Sequence, residues 1–293
     1  MSYTIVTDSS CNLPEALIER YGIEVLPLRF MSEGKEYVSF LKGKVTDLAA
    51  FYTMMRDGKV FTTSLPNQQL STDIIRTEFE RGNDILYIGF SSKLSGTYEA
   101  TAALLDEIGA AYPDRRHTAV DTRGASLGEG LLVLYAARKR ELGHSLDEVA
   151  AWLDDARFRL AHWFTVDDLM YLYRGGRVSR PAATAAAFLS IKPVLHMDDA
   201  GALVPVEKVR GRRRSVKALF DHLKKSWDAD FGPQTVAISH GDCMKDAQEL
   251  AQMIRDDRAL EVEDVIVNYV DPVIGAHSGP GTLALFYMAK SRD

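Results

Sequence analysis

Strand-like and helix-like segments alternate through the first 141 residues, and this alternation most restricts what the chain can become. Short β-branched or apolar runs stand at Thr4 to Asp8, Ile23 to Phe30, Val60 to Thr63, Ile85 to Phe90 and His117 to Asp121. Helical patterns lie between them: to about Arg20 after Pro14, from Thr46 to about Arg56, Asn67 to Glu80, Gly96 to Ala111 and Ser126 to Glu141. Asn12 or Leu13 is expected to cap the first of these helices, and Asp57-Gly58 to stop the second. Pro27 makes its run an edge or irregular strand, and residues 31–45 read as a loop or small hairpin. Alternation of this kind predicts a mostly parallel sheet with helices on both faces. The last helix has no charge between Gly130 and Ala137, so it is expected to be buried on most sides.

The pattern changes in the second half. Ser145 with Glu148 forms a capping-box signature for a helix from Leu146 to about Arg159. A strand is expected at Trp163 to Val166, a short helix from Asp167 to Tyr173 and an alanine-rich helix from Pro181 to Leu189. Lys192 to Met197 and Ala202 to Val209 read as a hairpin closed by Asp198-Asp199-Ala200-Gly201. A helix from Arg210 to about Trp227, strands at Thr235 to Ser239 and Val265 to Tyr269, and a helix from Lys245 to Asp256 follow. Gly279-Pro280-Gly281 is expected to open a final helix. The expectation is an α/β protein of two domains, residues 1–155 and 156–293. The first would hold a mostly parallel sheet flanked by helices and the second would be mixed α/β. No Pro/Gly/Ser linker separates them, so close packing is expected.

Composition excludes little but narrows much. Apolar residues are 46% and charged residues 26% of the 293, which is the globular range. The net charge of −6 argues against nucleic acid as the main partner. Cys11 and Cys243 form no CxxC, which fits a reduced cytoplasmic setting. The N-terminus lacks the basic and apolar regions of a signal peptide, and the longest apolar helical run is too short to cross a bilayer, so no stable membrane insertion is expected.

Three polar turns could carry chemistry: Thr62-Thr63-Ser64, Ser91 to Thr97 (SSKLSGT), and Gly275 to Gly281 (GAHSGPG). The first two are expected beyond the carboxyl ends of strands in the parallel sheet, where ligands gather in open sheets. SSKLSGT passes from a strand into a helix, where free amides and the helix dipole can hold a carboxylate or phosphate. Such residues are also ordinary turn formers. His277 could be a donor or proton carrier, or simply satisfy a carbonyl. A Ser–His pair is conceivable, but KLSGT is not the GxSxG of a hydrolase elbow. No phosphate-loop or dinucleotide motif is present. His240-Gly241-Asp242-Cys243 has ligand-type residues without a second cluster, so no metal is expected. Tyr173-Arg174-Gly175-Gly176-Arg177 and the arginines at 210, 212, 213 and 214 are cationic. A cationic helix start is locally costly and suggests an anionic partner, though a solvated patch explains it as well.

These stretches resemble the DegV family of bacterial fatty-acid-binding proteins. VTDSSCNLP at 6–14, TTSLP at 62–66, SSKLSGTYEA at 91–100, VDTRGASLGEG at 120–130, YLYRGGRVS at 171–179, IKPVLHMDDAG at 191–201 and GAHSGPG at 275–281 carry the resemblance in collinear order. It implies two α/β domains with one acyl chain in a tunnel between them. It implies that Thr63 and Ser95 hydrogen-bond the carboxylate, helped by the backbone of Gly96, with His277 near the head group. It further implies that Arg174, Arg177 and Arg210 face a partner, a fatty acid kinase that phosphorylates the bound acid. Members often carry SQPS or SPPS after the threonine, whereas this chain has Ser64-Leu65-Pro66-Asn67. The reading is a non-catalytic carrier of one long-chain fatty acid, with no other cofactor. The alternatives are a lipid hydrolase or acyltransferase using Ser95 and His277, and a nucleic-acid module using Arg210 to Arg214.

Overall fold

The computed structural model describes residues 3–40, 43–44, 46–179 and 191–292. The alanine-rich helix expected from Pro181 to Leu189 lies outside them.

A four-stranded parallel sheet is built from β1 (Tyr3–Asp8), β2 (Glu24–Leu26), β6 (Asp84–Gly89) and β7 (His117–Asp121), in the order β2-β1-β6-β7. Every residue of β1 and β6 is buried, as continuous apolar runs covered on both faces should be. One face packs on α3 (Gln68–Glu80) and α4 (Thr97–Gly109), through Ile75, Phe79, Leu105 and Ile108 against Val6 and Ile85. The other meets α5 (Leu127–Glu141) and α6 (Leu146–Ala156). Helix α1 (Glu15–Arg20) joins β1 to β2. Pro14 occupies its cap position without a side-chain bond, and Asn12 has another task described below.

The second sheet has six strands in the order β10-β9-β8-β13-β11-β12: β8 (Leu160–Thr165), β9 (Ile191–Met197), β10 (Leu203–Arg210), β11 (Gln234–His240), β12 (Val262–Tyr269) and β13 (Leu283–Met288). Only the β11–β12 pair is parallel. Helices α8 (Arg212–Ser226) and α9 (Met244–Asp256) cover its outer face. Short helix α7 (Met170–Arg174) follows β8.

Helix α5 lies between the sheets. Leu127 through Ala137 are all buried, and they share one core with Ile5 and Ile88 of the first sheet and Phe164 and Phe286 of the second. A side chain at Gly128 would place its Cβ 2.1 Å from His162 Nε2, so a glycine is needed for β8 to approach the helix this closely.

Three expectations need correction. Thr62-Thr63-Ser64 is not a turn at the end of a parallel strand. It is β5 (Thr62–Ser64), paired antiparallel with β3 (Arg29–Ser32), which also pairs with β4 (Lys35–Val38). The extended run expected at Val60 to Thr63 is there in part, but the pairing of Phe30 with Thr63, between distant segments, makes it antiparallel and carries it through Ser64. Gly279-Pro280-Gly281 does not open a helix. It ends helix α10 (Pro272–Ser278) and leads into β13, a central strand whose six residues LALFYM are all buried. A short apolar run has no period that separates a buried helix from a buried strand. Helix α2 (Leu48–Arg56) is capped by Asp47, whose carboxylate accepts from the amide of Ala50, rather than by Thr46.

Candidate functional site

Residues just beyond the strands of the parallel sheet, with others from the small sheet and the mixed sheet, line a cavity of about 260 Å3. Its wall is mostly hydrocarbon, with Leu28, Phe90, Phe164, Leu172, Leu203 and Phe286 among the lining side chains. Thr63, Ser95, His277 and Arg177 also line it and supply its polar side chains together with several serines and threonines.

Thr63 reaches the cavity from β5, and His277 from the last turn of α10. The Thr63 hydroxyl and His277 Nε2 are 2.8 Å apart. Burial, aided by the Arg177 charge, pushes the imidazole down to about 4, so it is neutral at pH 7. If Nε2 carries the proton, it donates to Thr63 and leaves the threonine O–H free to donate into the cavity. The glycine pair of YRGGR explains how the ring gets there. A Cβ on Gly175 would lie 2.3 Å from His277 Nδ1, so the imidazole occupies space that only a glycine leaves open.

Ser95 sits one residue before Gly96, the cap position of α4. Its hydroxyl accepts from the Thr97 amide at 3.2 Å and lies 2.9 Å from the Thr97 hydroxyl. Gly96 itself packs beside Leu65, whose side chain lines the cavity. The loop is anchored at its start: Ser91 donates to the Gly201 carbonyl at 2.9 Å, and Ser92 donates to Asp121 at 2.6 Å. The first of these bonds ties the loop to the β9–β10 turn of the other sheet. Arg177 donates through Nε to the Leu94 carbonyl at 3.1 Å and through NH1 to the Gly175 carbonyl. Burial lowers its pKa.

The structure thus brings together Thr63, Ser95, His277 and Arg177. It does not bring Arg174 and Arg210 into the cavity. Arg174 is exposed and lies over the Tyr171 ring, and Arg210 is exposed at the end of β10. Of the other arginines, Arg212 is committed to Asp246 at 2.8 Å and to Cys243, while Arg213 and Arg214 are exposed. The geometry pairs His277 with Thr63 and Ser95 with Thr97, so among the described residues no hydrogen bond makes a Ser95–His277 dyad.

The sequence reading missed a second polar group in the cavity wall, formed by Ser10 and Ser126. Ser126 has positive φ at 57° and donates to Asn12 Oδ1 at 2.7 Å, with Ser239 Oγ of β11 at 2.8 Å. Their signal was present in VTDSS and in the buried Glu129 of GASLGEG, but nothing local says that these stretches meet. Among the described residues no group of His, Cys, Asp and Glu is placed to hold a metal, and no helix is long and apolar enough to cross a membrane.

The fold is thus a two-lobed α/β structure around an apolar cavity whose wall carries a few hydroxyl side chains. A family model described as an uncharacterised protein of the DegV family matches residues 2–290, and the chain belongs to that family. A DegV domain-containing protein of Clostridium perfringens is 40% identical over 291 residues, covering 99% of each chain. One from Streptococcus pyogenes is 33% identical over 291 residues, again covering 99% of each. Among solved structures, a fatty-acid-binding DegV family protein from Thermus thermophilus aligns with a TM-score of 0.85 at 30% identity, over 99% of this chain and 100% of that one. DegV of Bacillus subtilis, described as a fatty acid binding protein, aligns with a TM-score of 0.81 at 27% identity, over 99% and 100%.

Proposed function

We propose that this protein binds one long-chain fatty acid in the cavity, with the carboxylate held by Thr63 and Ser95, the backbone of Gly96 and, through Thr63, His277. The observation that carries the reading is an apolar cavity whose polar lining includes neutral hydroxyls and a neutral imidazole. Burial of a methylene contributes about 0.8 kcal/mol, so a dozen supply roughly 10 kcal/mol before the cost of ordering the chain. Tail burial therefore provides affinity, and the hydroxyls fix which end faces out. Arg177 is fixed by two backbone carbonyls, so on this reading hydroxyls rather than a direct ion pair hold the carboxylate. It stays a competent nucleophile for phosphoryl transfer.

On this reading the protein presents the acid to a fatty acid kinase, with Arg174, Arg177 and Arg210 toward the kinase and the transferred phosphate. It acts as a carrier, and the two lobes that clasp the acid divide near residue 155. Mass spectrometry of an organic extract of purified protein is expected to show a fatty acid at one per chain. The double variant Thr63→Ala with Ser95→Ala is expected to lose roughly tenfold or more in affinity for a fluorescent fatty acid, because hydrogen bonds to a charged group are worth about 1.5–3 kcal/mol each. Unchanged affinity would sink the carboxylate assignment. Reconstitution with a fatty acid kinase is expected to yield acyl phosphate, and Arg210→Ala to slow it without changing acid binding.

A further inference from the structure

Ser10 lines the cavity and is itself buried at 0% exposure. Its hydroxyl contacts two carboxyl groups at once: it is bonded to Asp8 Oδ1, and it lies 2.8 Å from Glu129 Oε2. Asp8 and Glu129 are both 0% exposed. A serine hydroxyl has a single proton. It cannot donate fully to both oxygens, so one of them must donate to it, and only a protonated carboxyl can do so.

Hydrogen-bond partners decide which. Asp8 also receives the Ser10 amide at 3.0 Å, the Phe90 amide at 3.2 Å and the Tyr87 phenol at 3.2 Å. Those donors suit an ionised carboxylate. Among the described residues, Glu129 receives only Thr7 Oγ1, at 3.0 Å, besides the Ser10 contact. The groups that face Glu129 are acidic or neutral. Asp8 comes from β1, Asp271 from the start of α10, the Cys11 thiol from the turn after β1 and the Tyr87 phenol from β6. His162 of β8, buried and held neutral, lies against the neighbouring Gly128. Burial first, and the Asp8 charge second, push the Glu129 carboxyl well above the usual carboxylate range.

We propose that Glu129 carries a proton in the folded protein, that Ser10 links it to an ionised Asp8, and that holding an acyl chain is coupled to retention of that proton. The coupling follows from position. Ser10 and Ser126, the cap of the helix that carries Glu129, both form part of the cavity wall. A hydrocarbon chain against Ser10 lowers the polarity above the acid pair, which disfavours a second negative charge there. Ionised Glu129 would also leave Ser10 facing two carboxylates with one proton. The bound state therefore favours the protonated acid, and by linkage ionisation weakens binding. The coupling rests on the lipid reading above, whereas the proton on Glu129 does not.

The test compares wild type with Glu129→Gln, an isosteric neutral variant, using cis-parinaric acid as a fluorescent eighteen-carbon probe. Affinity is read from about pH 6 to about pH 10. The ratio of the two affinities cancels the titration of the probe itself. It is expected to fall by up to about tenfold per pH unit once Glu129 begins to ionise. A ratio constant across the range overturns the coupling. Infrared difference spectra at neutral pH give an independent readout: a protonated carboxyl C=O stretch present in wild type is expected to vanish in E129Q. Loss of a carboxylate band instead overturns the proton assignment. If neither protein binds the probe at any pH, the lipid reading and the coupling fall together, while the infrared band still decides the state of Glu129. Should E129Q fail to fold, Ser10→Ala is expected to shift that carboxyl stretch, and an unchanged stretch overturns the link through Ser10.

Discussion

His277 shows how much one side chain depends on its neighbours. It is neutral at pH 7 because burial and the Arg177 charge hold it at about 4. An unfolded histidine titrates near 6.5, so between those values the unfolded chain binds a proton that the folded one refuses. Stability attributable to this group is therefore complete above the unfolded value and is lost as pH falls toward the folded one, at up to about 1.4 kcal/mol per pH unit. Urea denaturation of wild type and His277→Gln over this window is expected to give curves that converge as pH falls. Parallel curves would refute the buried neutral state. The raised carboxyls Asp8, Glu129 and Asp271 act in the opposite direction, and the difference between the two proteins removes them. Gly175→Ala tests the same group sterically. The added methyl must displace the imidazole or the α7 terminus, at about 1–3 kcal/mol, and fatty acid affinity is expected to fall with Thr63 left unsupported. Equal affinity in that variant would mean that His277 does not orient Thr63.

Among the elements, helix α5 was visible in the sequence and β13 was not. An uncharged run through about two turns leaves no face for water, so the burial of Leu131 through Ala137 could be expected from residue types alone. LALFYM is equally apolar but only six residues long, and its strand pairing with β8 and β11 exists only once those strands are in place. The capping box at Ser145 was legible because all its parts are local. The Ser145 hydroxyl accepts from the Glu148 amide at 3.3 Å, and Glu148 reaches back to the Ser145 amide at 2.8 Å. Ser145→Ala is expected to cost about 1 kcal/mol, read as a lower urea midpoint with an unchanged slope. No change in midpoint would show that tertiary packing alone holds the start of α6.

Across the whole molecule, Asn12 joins the two sheets. Its side-chain oxygen accepts from Ser126 at 2.7 Å and from the Asp271 amide at 3.3 Å, while its carbonyl accepts from Asn268 of β12 at 2.8 Å. Its φ of 53° suits asparagine better than most residues. Asn12→Ala leaves buried donors without acceptors and is expected to cost about 1–3 kcal/mol. Because α5 shares its core with both sheets, unfolding is expected in one transition by fluorescence and by circular dichroism. Separate transitions would show that the lobes are energetically independent.

Residue types and their spacing were enough to determine the α/β class, most element positions, the buried central helix and the polar turn around Ser95. These depend on contacts within a few residues, where period, capping and turn chemistry operate. Only the tertiary structure decided that His277 leans on Thr63 through the gap at Gly175, and that Ser10 bridges Asp8 to Glu129 under the cavity. Those arrangements join residues more than a hundred positions apart, and no local preference encodes which distant groups will share a proton or a void.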